Sequence, residues 1–450
     1  MRVAGNQSLI TDLYELTMAA AYFDNNLERD VVFELFVRDM PTDRGYLLLA
    51  GMETALEYLE KLHFTSDEVS YLRGLEAFKN VSDDFFDYLG RFKFECDVWA
   101  MPEGTIFFPN EPVLRVSGPI IQAQVVETFL LAAINFETMV ATKAARVCDA
   151  AKGRPVADFG SRRAHGPEAA VRAARASFIG GCASTSNVYA GMHAGIPVTG
   201  TAAHSWIMLH DSEIEAFENY FRIFPDDTVL LIDTYDTIEG ARRAAKIGSQ
   251  VRGVRIDSGN LVELSKQVRL ILDEAGMNRT KIVASGDLDE YEIERLLDAG
   301  ASLDLFGVGT RMVTSSDASH LGGVYKLVEV SGDGETLYRA KFSDEKVTYP
   351  GCKQVWRRYD EDGFFAEDVI SLADEEMEGA DPLVELVMER GRLIAPTPSI
   401  NETRDRAGDQ LRCLREKHRK LRNPVEYLVR VSERIMEVLQ SLKEKHLGNA

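Results

Sequence analysis

Gln250-Val251-Arg252-Gly253-Val254-Arg255-Ile256-Asp257-Ser258-Gly259-Asn260 is an apolar run that ends in a cation, a carboxylate, a hydroxyl and a glycine. A helix-like pattern follows from Leu261 to Ala275, so the stretch reads as a strand feeding a helix. Its strand end offers what a phosphorylated sugar needs. Arg255 can meet phosphate oxygens, Asp257 can meet sugar hydroxyls or Mg²⁺, and Gly259 lets backbone N–H groups come close. The same residues also fit an ordinary turn in which Asp257 or Ser258 caps the next helix. The neighbouring segments decide between the two readings.

Working outward, short apolar runs recur at 155–159, 177–180, 196–199, 228–232, 251–256, 281–285 and 303–308. Helix-patterned segments lie between them at 166–176, 186–194, 212–222, 237–249, 261–275 and 288–299. Repeated strand–helix units at this spacing predict a parallel α/β structure. A closed or nearly closed barrel fits best and a doubly wound open sheet second. Each run ends in small, polar or charged residues: Gly160-Ser161-Arg162-Arg163, Gly181 to Asn187, Gly200 to Ser205, Asp233 to Asp236, Asp257-Ser258-Gly259, Gly286-Asp287 and Gly309-Thr310-Arg311. In a barrel these ends open on one face, where active sites sit.

The flanking sequence has a different texture. Residues 8–26 read as a capped helix, with Tyr14 beside its apolar face. Residues 30–116 mix strands and helices without alternation, as in an α+β domain. Residues 119–151 are apolar on all sides and predict a buried helix or a subunit contact. Beyond Lys326 strand-like pieces return at 324–330, 337–342, 346–349 and 354–358, followed by an acidic stretch at 359–381. Residues 402–446 are helix-patterned and locally basic, with Pro424 expected near the start of the last helix.

The 450 residues carry a net charge of −21, which argues against a nucleic-acid coat or an anionic-membrane binder. A local cluster of Arg can still attract a small anion. Cys96, Cys148, Cys182, Cys352 and Cys413 form no CxxC pair and no zinc spacing, as expected of a reduced, cytoplasmic protein. No stretch is expected to span a membrane.

Among the strand-end residues, His204 in Thr201-Ala202-Ala203-His204-Ser205 is the sharpest candidate for chemistry. Asp233, Asp236 and Asp257 are carboxylates able to hold Mg²⁺, sugar hydroxyls or a histidine. Arg162, Arg163 and Arg255 add positive charge. Gly307, Gly309 and Thr310 resemble the terminal phosphate loop of many barrels, although Gly-x-Gly alone also marks a tight turn. These residues together describe an enzyme for a phosphorylated, sugar-containing substrate that uses a divalent metal.

The motifs also match a family. Leu9-Ile10-Thr11-Asp12-Leu13-Tyr14-Glu15-Leu16-Thr17-Met18, Phe33-Glu34-Leu35-Phe36, Gly200 to Ser205, Asp233-Thr234-Tyr235-Asp236, Val254 to Gly259, Gly307-Val308-Gly309-Thr310 and Gly322-Gly323-Val324-Tyr325-Lys326 resemble nicotinate phosphoribosyltransferase, in the same order along the chain. The resemblance implies a type II phosphoribosyltransferase fold: an irregular α/β barrel, an α+β domain built from sequence on both sides of it, and a C-terminal helical segment. The expected division is 1–118, 119–330 for the barrel, 331–395 for strands returning to the α+β domain, and 396–450 for the helical segment.

The resemblance further implies a homodimer with a shared site and no nucleic-acid or membrane partner. The expected reaction forms nicotinate mononucleotide and pyrophosphate from nicotinate and phosphoribosyl pyrophosphate, coupled to ATP hydrolysis and opening NAD salvage from nicotinate. Phe159 and Tyr14, the latter from the other subunit, would sandwich the pyridine ring. Arg162 would face either the nicotinate carboxylate or a substrate phosphate. Arg255 would neutralise phosphate, and Asp257 would bind ribose hydroxyls or Mg²⁺-bound water. Gly286, Gly309 and Thr310 would hold the 5′-phosphate, with Ser205, Ser258 and Gly307 also lining the substrate. His204 matches the family's phosphorylated histidine, with Asp233, or second Asp236, orienting it. Related nicotinamide enzymes carry Asp where this chain has Ser186; Ser there favours the acid, and a nicotinamide phosphoribosyltransferase is the alternative. No residue is singled out as a direct protein ligand to Mg²⁺. No zinc is expected either, because the clustered cysteines of a shorter branch are absent.

Overall fold

In the computed structural model the described residues are 6–332, 335–342 and 348–448. They form two compact units, one of Met139–Ser319 with Ile400–Arg404, the other of Met1–Thr138, His320–Ser399 and Asp405–Ala450.

The first unit holds six parallel strands: β1 (Val156–Asp158), β2 (Ser184–Thr185), β3 (Val229–Leu231), β4 (Gly253–Ile256), β5 (Lys281–Ala284) and β6 (Leu305–Val308). Their order across the sheet is β2-β1-β6-β5-β4-β3. The sheet curls into a half-barrel with β2 and β3 as its edges. The strands are short and buried, as parallel strands covered by helices must be; Val254, Ile256, Ile282, Ala284, Phe306 and Val308 are all inaccessible to solvent.

The helices between them are α1 (Pro167–Ile179), α2 (Val188–Ala194), α3 (His204–Met208), α4 (Glu213–Ile223), α5 (Thr237–Ile247), α6 (Leu261–Glu274) and α7 (Glu290–Asp298). One local rule starts four of them. Ser212, Asp236, Asn260 and Asp289 each accept the backbone N–H of a glutamate three residues on, which satisfies an otherwise orphaned donor and places a carboxylate in the first turn.

Two of the expected strands are corrected. Residues 177–180 end helix α1, whose last turns are buried on every side because Ala173, Ala174 and Ala176 are small. The Cβ missing at Gly180 would lie 2.4 Å from the Ala141 carbonyl, so that end packs directly on a neighbouring helix. The strand comes later, as the two residues of β2. The run at 196–199 contributes a single bridge, Val198 to Thr185.

The other unit is built on a seven-stranded antiparallel sheet in the order Glu335–Tyr338, Gly323–Gly332, Asp30–Val37, Leu114–Pro119, Asp97–Ala100, Glu385–Glu389, Arg392–Leu393. Sequence from both sides of the half-barrel thus shares one sheet. A four-stranded sheet adds Asp381–Pro382, Lys353–Tyr359, Phe365–Leu372 and Val429–Val431. Part of the strand expected at 346–349 lies outside the described residues. Pro424 precedes the strand Val429–Val431, and the last helix, Glu433–Leu447, is capped by Ser432 instead.

One stretch, Ile120–Ala150, does reach membrane-spanning length and apolarity. Its most apolar window is 67% buried within the fold. It also carries Lys143 and Arg146, whose side chains are fully buried on Glu290 at 2.6 and 3.0 Å. Those are the properties of a core helix.

Candidate active site

The end of β4 carries the densest polar network. Arg255 donates from Nε to Ser285 Oγ at 2.7 Å, from Nη1 to Thr201 Oγ1 at 2.7 Å and from Nη2 to Asp257 Oδ1 at 2.5 Å. Ser285 in turn donates to the same Asp257 oxygen at 2.5 Å. Burial works against ionisation of Asp257. The Ser285 hydroxyl, the Arg255 guanidinium and the nearby His204 outweigh it and hold the carboxyl below its ordinary range. At neutral pH this is a fixed carboxylate beside a fixed guanidinium.

Asp233, at the end of β3, turns toward β4. Its Oδ2 accepts the Asp257 N–H at 2.9 Å and the Ser258 hydroxyl at 2.8 Å, while Oδ1 is buried without a hydrogen-bond partner among the described residues. Asp236 is committed elsewhere, as the cap of α5. The His204 ring Nδ1 lies 3.1 Å from Thr234 Oγ1. Asp233, or second Asp236, was expected to orient this ring; in the structure Thr234 makes the contact to Nδ1. Ser205, next on α3, is exposed.

Phe159 follows β1, and the Arg255 guanidinium carbon stands 5.8 Å from its ring centre. A Cβ at Gly307 would lie 2.5 Å from two carbons of that ring, so β6 must carry glycine there for Phe159 to lie flat against it. Gly309 faces the Phe159 carbonyl, and Gly286 has a positive φ of 89° and abuts the Asp257 carbonyl. A cleft of about 690 Å³ opens here, lined by Asp257, Ser258, Gly286, Asp287, Arg295 and Arg311 among others. Arg311 is tied to Asp289 at 2.6 Å.

Arg162 and Arg163 lie in a turn, Ser161–Arg163, and are exposed. Ser186 is half-buried, with its N–H on the Asp158 carbonyl at 2.8 Å. Thr310 opens a short helix, Thr310–Val313. Arg255, Asp257, Asp233 and Ser258 are thus joined by hydrogen bonds, Phe159, Gly307 and Gly309 by close packing, and Gly286 packs on Asp257. The Arg162, Ser186, Ser205 and Thr310 side chains are bonded to none of these.

Sequence reasoning missed Ser285, Thr201, Thr234 and Asp158. Each adjoins or falls within a quoted strand-end motif, so position was the available signal.

Three family models match consecutive regions: the nicotinate phosphoribosyltransferase N-terminal domain over 9–135, the family itself over 155–346, and the C-terminal domain over 377–439. The nicotinate phosphoribosyltransferase pncB2 of Mycobacterium tuberculosis is 45% identical, covering 98% of this chain and 95% of the relative. The chain belongs to the nicotinate phosphoribosyltransferase family. The Bacillus subtilis nicotinate phosphoribosyltransferase is 39% identical over 97% of both chains. The crystal structure of human nicotinic acid phosphoribosyltransferase superposes with a TM-score of 0.86 at 29% identity, covering 96% of this chain and all of that one.

Two further features lie in the unit built on the seven-stranded sheet. Tyr14 is 45% exposed on the helix Leu13–Asp24. Partial burial and the carboxylates of Glu127, Glu15 and Asp12 push its phenol far up, so it stays neutral. Lys326, in the quoted Gly322 to Lys326 motif, has its ammonium pushed down by burial and by Arg38 and Lys341, against Glu127. Arg38 Nε is buried without a hydrogen-bond partner among the described residues. Such a gathering of cations suits an anionic ligand.

Proposed function

We propose that this chain joins nicotinate to the anomeric carbon of phosphoribosyl pyrophosphate, releasing pyrophosphate, as the entry of nicotinate into NAD synthesis. The observation that carries the reading is the Arg255–Asp257–Ser285 network beside Phe159 and His204, within a chain of this family. The pyridine nitrogen forms the new C–N bond while the C–O bond to pyrophosphate breaks. Positive charge gathers on the ribose and negative charge on the leaving group. Arg255, fixed by three partners, meets that negative charge without reorganising. Asp257 orients ribose hydroxyls, the backbone at Gly286, Gly309 and Thr310 holds the 5′-phosphate, and Phe159 holds the ring at the distance for attack.

Mg²⁺ fits this donor set. Asp233 Oδ1 is a buried, unpartnered hard oxygen, and Asp257, whose N–H the other Asp233 oxygen accepts, stands on the neighbouring strand end. Among the described residues no group of three or more His, Cys, Asp or Glu could hold a metal alone. A site with one or two carboxylates leaves the remaining positions to substrate phosphates and water, which is how Mg²⁺ is held. Bound there with the diphosphate, it would supply further charge neutralisation.

ATP coupling is part of the proposal. Nε2 of His204 attacks the γ-phosphorus, an N–P bond forms and ADP leaves; water later releases phosphate. A Thr234 hydroxyl that takes the Nδ1–H leaves the Nε2 lone pair outward. Support for a homodimer comes from exposed apolar residues on successive helices: Val188 and Met192 on α2, Met208 and Leu209 at α3. The five cysteines are free thiols.

Incubation with γ-labelled ATP tests the scheme. Acid-labile label on the wild type and none on His204→Ala is expected, with pyrophosphate release dependent on nicotinate. Equal labelling would remove His204 from this role, and release with nicotinamide in place of nicotinate would favour the amide enzyme.

A further inference from the structure

Asp158 takes no part in the chemistry above, yet it is a carboxylate only 1% exposed at the end of β1. Burial pushes it up, against the bonds from Thr185 and Gly160. Its Oδ1 accepts the Gly160 N–H at 2.8 Å and its Oδ2 accepts the Thr185 hydroxyl at 2.7 Å. The first bond fixes the loop that carries Phe159 and Arg162. The second fixes the loop that carries Ser186. We propose that Asp158 is the positioning residue of the base pocket, setting the ring-stacking loop after β1 against the substrate-selecting loop after β2. The inference rests on the reading that Phe159 and Ser186 receive nicotinate.

The hydrogen bonds run in one direction. The Asn187 N–H donates to Thr185 Oγ1 at 3.0 Å, and the Thr185 hydroxyl proton is therefore directed onward to Asp158. A carboxylate, which only accepts, terminates such a relay. An asparagine in its place presents an NH₂ to one of its two partners. If that partner is Thr185, Oγ1 faces two donors and its own proton has no acceptor. A second tie, Asn187 Nδ2 to Ser161 Oγ at 3.1 Å, joins the same two loops farther out. The loops therefore remain attached when Asp158 is changed, but their angle is no longer dictated from within. Ser186 N–H on the Asp158 carbonyl adds a backbone contact that the substitution leaves in place.

Steady-state kinetics of the full-length enzyme tests this with Asp158→Asn, Thr185→Val, the double variant, Thr185→Ser and Phe159→Ala. Asp158→Asn and Thr185→Val are each expected to raise KM for nicotinate at least about tenfold. KM for phosphoribosyl pyrophosphate should stay within about twofold and kcat within about threefold. The double variant should be no worse than the worse single one, because both break one relay. Thr185→Ser, which keeps the hydroxyl, should restore the wild-type KM. Nicotinate KM within about twofold of wild type in folded variants, equal increases in both KM values, or multiplicative effects in the double variant would each overturn the proposal. Should Asp158→Asn fail to fold, the Thr185→Val and Thr185→Ser pair decides alone. An unchanged nicotinate KM in Phe159→Ala would instead overturn the underlying pocket.

Discussion

The Asp233 carboxylate holds the backbone of Asp257: one oxygen accepts the Asp257 N–H at 2.9 Å and the Ser258 hydroxyl at 2.8 Å, and the other is buried and unpartnered. Two adjacent strand ends are thereby fixed to each other, and one oxygen is held in reserve. Replacing Asp233 by Ala removes a charged acceptor from two donors, worth about 2 kcal/mol. A fall in kcat/KM for phosphoribosyl pyrophosphate of roughly 30-fold is expected, with a steeper dependence on Mg²⁺ concentration. Unchanged kcat/KM and Mg²⁺ dependence would sink the role.

Thr234 faces His204 Nδ1 at 3.1 Å. Thr234→Val keeps the shape and removes the hydroxyl, so the ring loses its fixed tautomer. The rate of His204 phosphorylation in rapid-quench labelling should drop about tenfold, the equivalent of one hydrogen bond, with little change in ATP affinity. Wild-type labelling rates would show that Thr234 does not orient the ring.

Gly307 leaves room for the Phe159 ring, since a Cβ there would stand 2.5 Å from it. Gly307→Ala overpacks the site, at a cost of about 1–3 kcal/mol. Nicotinate KM should rise more than phosphoribosyl pyrophosphate KM. An equal rise in both would mean that the ring does not stack where Phe159 lies.

Ser186→Asp sets a carboxylate against the carboxylate of nicotinate. Nicotinate kcat/KM should fall at least about tenfold while nicotinamide is affected less. Equal kcat/KM for nicotinate in variant and wild type would dismiss Ser186 as a selector.

Glu111 is wholly buried beside Asp368, which pairs with Arg357 at 2.5 Å. Glu111 Oε2 accepts the Phe108 N–H at 2.9 Å, and the protonated carboxyl shares a hydrogen bond with Asp368. Burial, then the Asp368 charge, push its carboxyl well up against the pull of Arg357. The native state therefore binds this proton more tightly than the unfolded chain, whose glutamates titrate near pH ~4.3. Its contribution to stability is full below that value and is lost as pH rises toward the native one. Glu111→Gln is neutral at every pH. Its melting temperature should match wild type at pH 4 and exceed it by about 2–4 °C at pH 8. A constant difference across that range would show that Glu111 is ionised in the native state.

Much of this molecule was legible before the structure. The strands at 228–232, 251–256, 281–285 and 303–308 were readable because each is apolar and short, and the first three are followed by a capped helix. Residues 177–180 were misread because a helix end buried on all sides has the same composition as a strand, and β2 is too short to carry a pattern of its own. Strand-end positions revealed Arg255, Asp257 and His204, since polar residues there break an apolar run. Their partners were not readable. Ser285, Thr201 and Thr234 are small hydroxyl residues, common in any loop; the parallel pairing of β4 with β5 brings Ser285 to Arg255 and Asp257, and the segment before β3 brings Thr201 to Arg255 and His204 to Thr234. Asp236 and Asp233 look equivalent in sequence; the fold commits one to capping a helix.

The position of β6 beside β1 has a consequence for synthesis. Val156, Ala157 and Asp158 pair with Phe306, Gly307 and Val308, so the strand bearing Phe159 leaves the ribosome long before the wall it rests on. Until residue 308 has emerged, β1 has a bare edge on that side, and bare edges recruit other strands. Nascent chains halted before β6 should therefore be the aggregation-prone species of this protein, and the face that carries Phe159 is among the last parts of the half-barrel to become complete.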